Sequence, residues 1–215
     1  MRRGVSLQDI SDGRLYRAED WVLADACGCQ GCFFCCCHTA RAIVLDPLDV
    51  ARLTHGLRLS FEQLLQQYVE LGVEEGLLLP HLRSEGREER CVFLNTEGRC
   101  AQHALRPGIC RLFPLARYYD AQGLHYIIQK NECVKKNRKL IQVQTWIDMP
   151  QLAQYEHFVK QWHDFRIRAV QQAGGDLKGL NLYLLRVFYQ TPWEEAAFYQ
   201  QFAARLKQAE DDLGI

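Results

Sequence analysis

No part of the chain approaches the run of ~20 apolar residues that spans a bilayer, so no membrane helix is expected. Net charge is also missing: 26 basic side chains balance 26 acidic ones, which argues against a broad nucleic-acid footprint. The opening stretch, MRRGVSLQDISDGRLYRAEDW, has two arginines but no apolar core behind them, so it does not read as a secretory signal. The default address is the cytosol. Internal repeats and low-complexity linkers are lacking. So are a Ser-His-Asp signature, a Walker loop and the glycine-rich strand-to-helix turn that ordinarily cradles a nucleoside.

What the sequence has is cysteine, and in one place. Six of its ten cysteines fall between Cys27 and Cys37, and none follows Cys133. A reducing cytosol disfavours structural disulfides and makes a dense cysteine pattern metal-binding or catalytic. The neighbours Cys35, Cys36 and Cys37 cannot readily bridge one another, because disulfides need particular Cα separations and Cβ directions. Left bare, so many thiols would be an oxidation hazard. Cys29, Cys32 and Cys35 form C-x-x-C-x-x-C, a spacing that lets one tight turn aim several sulfurs at one centre. The same spacing opens the bacterial ferredoxin run, and paired C-x₂-C units also serve tetrahedral zinc. Cys91, Cys100, Cys110 and Cys133 are spread over about forty residues and can return to complete a coordination shell. Spacing alone leaves zinc and iron–sulfur both open.

Around the cysteines, Asp46 and Pro47 open a helix through DPLDVARL. Ser60 and Gln63 make a capping box for a second helix, whose apolar residues Leu64, Leu65, Tyr68, Val69 and Leu71 run to a stop at Gly72. LLLPHL and RCVFLN read as short extended segments, and ARYYDAQGLHYIIQ as a hairpin turning at Asp120–Gly123. Three amphipathic helices follow residue 150. The last is expected to open with Thr191 as N-cap, Pro192 at its first position and Glu194 as the reciprocal acid. The fold class is therefore α+β: a loop-rich cysteine-cluster metal domain with short helices and a small hairpin, residues 20–138, carrying an all-α extension, residues 139–215.

CQGCFFCC, then CVFLNTEGRCAQHALRPGICRLFP, then a final Cys133, resembles the YkgJ-type cysteine-cluster family of zinc- or iron-chelating domains. The resemblance spans about residues 27–135. It implies metal ligation by Cys29, Cys32, Cys35, Cys36, Cys91, Cys100, Cys110 and Cys133, with Cys27 and Cys37 extra to the pattern. One branch of the family includes flagellin lysine N-methylase. Its likeness would imply an iron–sulfur enzyme that acts on a protein side chain with S-adenosylmethionine. The radical-type spacing C-x-x-x-C-x-x-C is absent here, which disfavours that role. A metal or cluster carrier or assembly factor, and a zinc-stapled interaction module without catalysis, are the other readings.

The eight cysteines are expected to converge, with a [4Fe–4S] cluster, zinc, or both as cofactor. Adjacent Cys35 and Cys36 point different ways, which suits two centres better than one. Arg106 and Arg111, flanking Cys110, are expected to favour thiolates. His38 and His103 can complete a mixed shell but are not needed by an eight-cysteine set. The basic run Lys135, Lys136, Arg138, Lys139 reads as a solvated face, and the aromatics of the last helices as packing residues.

Overall fold

The computed structural model of the chain describes residues 6–25, 32–38 and 42–215. Short elements come first: α1 (Leu7–Ile10), β1 (Trp21–Asp25) and α2 (Phe34–His38). Helix α3 (Pro47–Leu57) starts where the sequence says it should. Asp46 lies in extended backbone and accepts from the Asp49 amide at 2.9 Å, while the Asp49 carboxylate accepts from the Asp46 amide at 3.2 Å. Two donors that the first helical turn would leave unpaired are satisfied reciprocally. Ser60 and Gln63 do the same for α4 (Phe61–Gln67).

Helix α4 does not run on to Gly72. It ends at Gln67, and Val69–Glu74 forms strand β2, antiparallel to β3 (Leu77–Leu82) across a turn at Glu75 and Gly76, both at positive φ. Val69, Leu71 and Val73 alternate with a period of two, which the helical reading overlooked, and LLLPHL offers a partner whose side chains are nearly all buried. Strands β4 (Ser84–Glu85) and β5 (Arg90–Cys91) form a minimal ladder. Then come α5 (Gly108–Leu112) and the hairpin β6 (Leu115–Asp120) and β7 (Gly123–Ile128), closed by the two residues Ala121 and Gln122. His125 and Ile127 are buried along with Tyr126 and Ile128, so β7 is covered on both faces.

The segment after residue 138 opens with a strand. β8 (Lys139–Gln142) pairs antiparallel with β1, with Leu23 opposite Leu140, and α6 (Val143–Ile147) follows. The chain ends in α7 (Leu152–Gln172), α8 (Leu177–Leu184), a π-helical continuation Leu185–Gln190, and α9 (Phe198–Leu213). The final helix starts later than Thr191 suggests. The Thr191 hydroxyl donates back to the Arg186 carbonyl at 2.8 Å. Arg205 of α9 donates to the carbonyls of Val187, Thr191 and Pro192, and its guanidinium lies 3.6 Å from the Trp193 ring centroid. Residues 191–197 are thus tied down as a loop by a long-range side chain, which no local capping pattern reveals.

The described residues contain four two-stranded antiparallel ladders joined by helices, so the molecule is α+β with a helical C-terminal region. Apolar packing runs through the whole chain. Phe158 and Phe202 meet edge to face at 4.6 Å, and Trp162 packs on Phe188 at 4.8 Å. The same cluster reaches Leu45, Leu53 and Leu64. Polar contacts also lock the helices to the N-terminal half. The Tyr189 hydroxyl donates to the Leu45 carbonyl at 3.2 Å, and the Leu78 amide donates to Asn181 Oδ1 at 2.7 Å. Among the described residues, no helix is long and apolar enough to cross a membrane.

Candidate metal centre

Four short segments carry the central cysteines, and each is held by hydrogen bonds that a reader of the sequence would not see. Cys91 ends β5 opposite Ser84. The next residue, Val92, donates to the Arg83 carbonyl at 3.1 Å, and the Arg83 guanidinium donates to the carbonyls of Leu65, Gln66 and Val69. Residues 91–100 close on themselves. Leu94 bridges Cys100, the Ala101 amide donates to the Phe93 carbonyl at 2.7 Å, and Asn95 Oδ1 accepts from the amides of Glu97 and Arg99. The Asn side chain mimics a turn, which brings Cys100 back beside Cys91.

Cys110 sits in α5, whose start is fixed from a distance. The Gly108 amide donates to Asp49 Oδ1 at 2.8 Å, so the capping carboxylate of α3 also positions the turn that bears Cys110. A Cβ at Gly108 would run into the Tyr155 hydroxyl and lie 2.9 Å from Arg117 Nη2; the need for glycine here is close approach, not backbone freedom. Arg117 Nη2 donates to that Tyr155 hydroxyl. Arg111 is buried and spends its guanidinium on the carbonyls of Asp148, at 2.6 Å, and Ala104, at 3.0 Å. Of the two arginines expected to favour thiolates, Arg106 does so. Its charge favours the Cys100 thiolate, and its Nη1 donates to His103 Nε2 at 3.0 Å. Arg111 is a brace for α5. Helix α2 packs on β5 and delivers Cys35, Cys36 and Cys37.

The sulfurs feel one another. The Cys36 side chain bonds that of Cys35 and pulls the Cys35 thiol down to about 7, while the same bond and burial push Cys36 well above the ordinary thiol range. Burial pushes up the thiols of Cys91, Cys100 and Cys110, and neighbouring thiolates push further: Cys100, Cys35 and, least of the three, Cys37 on Cys91, Cys35 on Cys100, and Cys91, Cys35 and Cys100 on Cys110. Asp49 adds to the repulsion at Cys110. Cys35, Cys36, Cys91, Cys100 and Cys110 therefore form one half-buried electrostatic group. A bound cation would offset that repulsion. Five soft sulfurs suit zinc or iron better than a hard oxygen-seeking ion.

The rest of the expected ligand set is less gathered. Cys32 and Cys133 are half-buried, and none of these pairings includes them. Cys27, Cys29 and the side chain of His38 lie outside the described residues. Among the described residues, no three His, Cys, Asp or Glu side chains already stand in ligand geometry about one point. Cys37 is buried, feels the charges of Arg90 and Glu88 more than that of Cys35, and adds the smallest of three thiolate effects on Cys91. Sequence reasoning missed Asp49, Arg117 and Tyr155. Only Asp49 had a local signal, as the last residue of the DPLD cap, and that signal speaks of a helix start.

Residues 28–146, more than half of the chain, match the family CxxCxxCC, described as "Putative zinc- or iron-chelating domain". No curated protein matches the chain, and no solved structure does.

Proposed function

We propose, from the premise that the chain belongs to the CxxCxxCC family, that it holds a resident metal centre on thiolates drawn from four separated segments. The observation that carries this reading is that four separated segments bring Cys35, Cys36, Cys91, Cys100 and Cys110 close enough together for the ionisation of one to disfavour that of the next. Folding alone places these sulfurs close together and partly out of water, where burial and one another favour the protonated thiols; a cation that binds there takes the place of those protons and neutralises the thiolates. Cys29, Cys32 and Cys133 complete the proposed ligand set. Residues 20–138 supply every ligand, and residues 139–215 support them without contributing one.

The C-x-x-C-x-x-C loop and an all-thiolate donor set favour at least one [4Fe–4S] cluster, with a second thiolate site for zinc or another cluster. Such a group supplies a cation that neutralises the thiolates, and in the cluster case an electron store. The chain's own part is structural. Asp49 and Arg111 fix α5, Asn95 folds the Cys91–Cys100 loop, and Arg106 favours the Cys100 thiolate. This bracing supports a centre that stays in place over one that is handed to a partner. A reducing compartment such as the cytosol is where these thiols would persist as ligands.

The test is anaerobic purification followed by an optical spectrum and metal analysis. Brown protein with broad absorption near roughly 400 nm, and iron matched by acid-labile sulfide, is the expected result. Colourless protein with about two zinc ions per chain, one for each closed four-cysteine shell, would keep the chelation reading and reject the cluster. Protein isolated without stoichiometric metal, and unable to take up either, would reject both.

A further inference from the structure

Beyond the thiolate centre, the β1–β8 ribbon turns a face to water that has the composition of a buried one. Val22 and Ala24 belong to the core, at 1% and 0% exposure, whereas Trp21 and Leu23 between and beside them keep 61% and 52%. On β8, Leu140 keeps 59%. Side chains alternate along a strand, so a ribbon packed on one face ordinarily shows polar residues on the other. The three exposed side chains are also contiguous. Leu23 stands directly opposite Leu140, and Trp21, opposite Gln142, is the diagonal neighbour of Leu140. Isolated apolar residues on a surface need no explanation, but a joined patch marks an interaction site.

The two ends of the ribbon differ in charge. β1 starts directly after Glu19 and Asp20, both exposed, at the end where β8 finishes. At the opposite end, β8 starts from the run Lys135, Lys136, Arg138, Lys139, of which Lys136 and Lys139 are exposed. Arg17 offsets one of the two carboxylates, and Asp25 and Glu132 offset two of the four cations, so each end keeps its sign. Among the described residues, neither Glu19 nor any of these lysines is in an ion pair.

That polarity selects the occupant. An anionic membrane or a nucleic acid laid along the ribbon would be attracted at one end and repelled by Glu19 and Asp20 at the other. A second copy of the chain answers both ends. Set face to face about a two-fold axis running across the strands, two copies exchange ends. Glu19 and Asp20 of each then approach Lys136 and Lys139 of the other, and Trp21, Leu23 and Leu140 of both meet between them. An isologous contact needs a patch complementary to itself, and an apolar centre between ends of opposite sign has that property. Three large apolar side chains per copy make a small contact, so association in the micromolar range is expected.

We propose that the chain pairs with a second copy of itself through the β1–β8 face, the acidic end of each ribbon on the basic end of the other. The experiment uses full-length protein as isolated, with its metal, and follows mass by sedimentation equilibrium across the micromolar range. The mass should rise from one chain to two as concentration increases. Trp21→Ser combined with Leu140→Ser should weaken association roughly tenfold or more, as loss of a central aromatic anchor does. Both side chains are exposed, so the far-UV circular dichroism and the metal content of that variant should match the parent. Glu19→Lys, and separately Lys136→Glu with Lys139→Glu, should each weaken association by roughly tenfold or more, because like charges then face one another at both ends. An equimolar mixture of these two charge variants should associate again, since each bears the charge that the other now lacks. A misfolded variant would not be rescued in this way. A parent that stays monomeric throughout the range would overturn the proposal. So would undiminished association in the Trp21→Ser, Leu140→Ser protein, or a mixture no more associated than its two components. Binding of phosphatidylserine vesicles or a single-stranded oligonucleotide by a monomeric parent would give the face another occupant and overturn it equally.

Discussion

Gly108→Ala tests how tightly the cysteine centre is tied to the buried polar network beneath it. The glycine is in ordinary helical backbone, so the substitution brings no φ penalty. Its effect comes from the methyl group, which would run into the Tyr155 hydroxyl and lie 2.9 Å from Arg117 Nη2. Tyr155 is fully buried on α7, and Gly108 is anchored through its amide to Asp49 Oδ1 at 2.8 Å, so neither side can retreat freely. Overpacking of this kind costs about 1–3 kcal/mol. If Tyr155 swings away, the Arg117–Tyr155 hydrogen bond goes as well, at about 1.5–3 kcal/mol for a charged partner. The expected loss is about 3–5 kcal/mol, a large share of the ~5–15 kcal/mol that holds a domain together. Gly56→Ala is the control. There the methyl meets only the end of the Leu105 side chain, which can rotate, and alanine favours the helix by ~1 kcal/mol. Urea unfolding of both variants, with metal content measured on the same samples, gives the answer. Gly108→Ala should unfold at clearly lower urea and lose metal, because Cys110 is two residues away, whereas Gly56→Ala should stay near the parent. A Gly108→Ala protein within ~0.5 kcal/mol of the parent and fully metallated would refute the reasoning.

Burial, with Asp46 next to it, pushes the Asp49 carboxyl from its ordinary value of 3.8 up to about 8. The folded state thus keeps a proton that the unfolded chain releases near 3.8, and this group favours folding at acid pH, an advantage lost as pH climbs through about 8. Asp49→Asn, neutral at every pH, should flatten the decline in urea midpoint between pH 5 and pH 8.5; an unchanged slope would show that Asp49 is not its source. Arg205→Ala removes three carbonyl contacts and the stacking on Trp193, and should cost about 1–3 kcal/mol while leaving metal content intact. Proteolysis should then cut within 191–197, and a resistant loop would contradict its role as a strap. Arg106→Ala should shift metal uptake to higher pH by weakening the Cys100 thiolate, whereas Arg111→Ala should act on stability instead.

Local rules carried the reading of the sequence wherever the deciding contact was local. The Asp46 cap, the Ser60 capping box and the β6–β7 turn follow from residues three or fewer apart. Two misreadings share one cause. Val69–Glu74 becomes a strand because β3 is there to pair with it, and Thr191 fails as a cap because Arg205, fourteen residues on, holds the loop. The cysteine spacing pointed to the segments whose sulfurs gather, and the RPGIC block to the turn that bears Cys110. What fixes that block is Asp49, Arg117 and Tyr155, from α3, β6 and α7. Those contacts are long-range, made by residues whose types carry no metal signature, so spacing could not reveal them.

Metal content in single-cysteine variants tests the thiolate centre most directly. Cys35→Ala, Cys91→Ala, Cys100→Ala and Cys110→Ala are prepared anaerobically beside the parent and Cys37→Ala, and metal per folded chain is measured for each. Substitution in any of the four segment-bridging thiols should remove much of the bound metal, although they lie up to 75 residues apart in sequence. Cys37→Ala, whose thiol feels Arg90 and Glu88 more than Cys35, should keep the parental content. Folded Cys91→Ala and Cys110→Ala proteins with undiminished metal would contradict the account, because chelation would then reside in the Cys27–Cys37 loop alone.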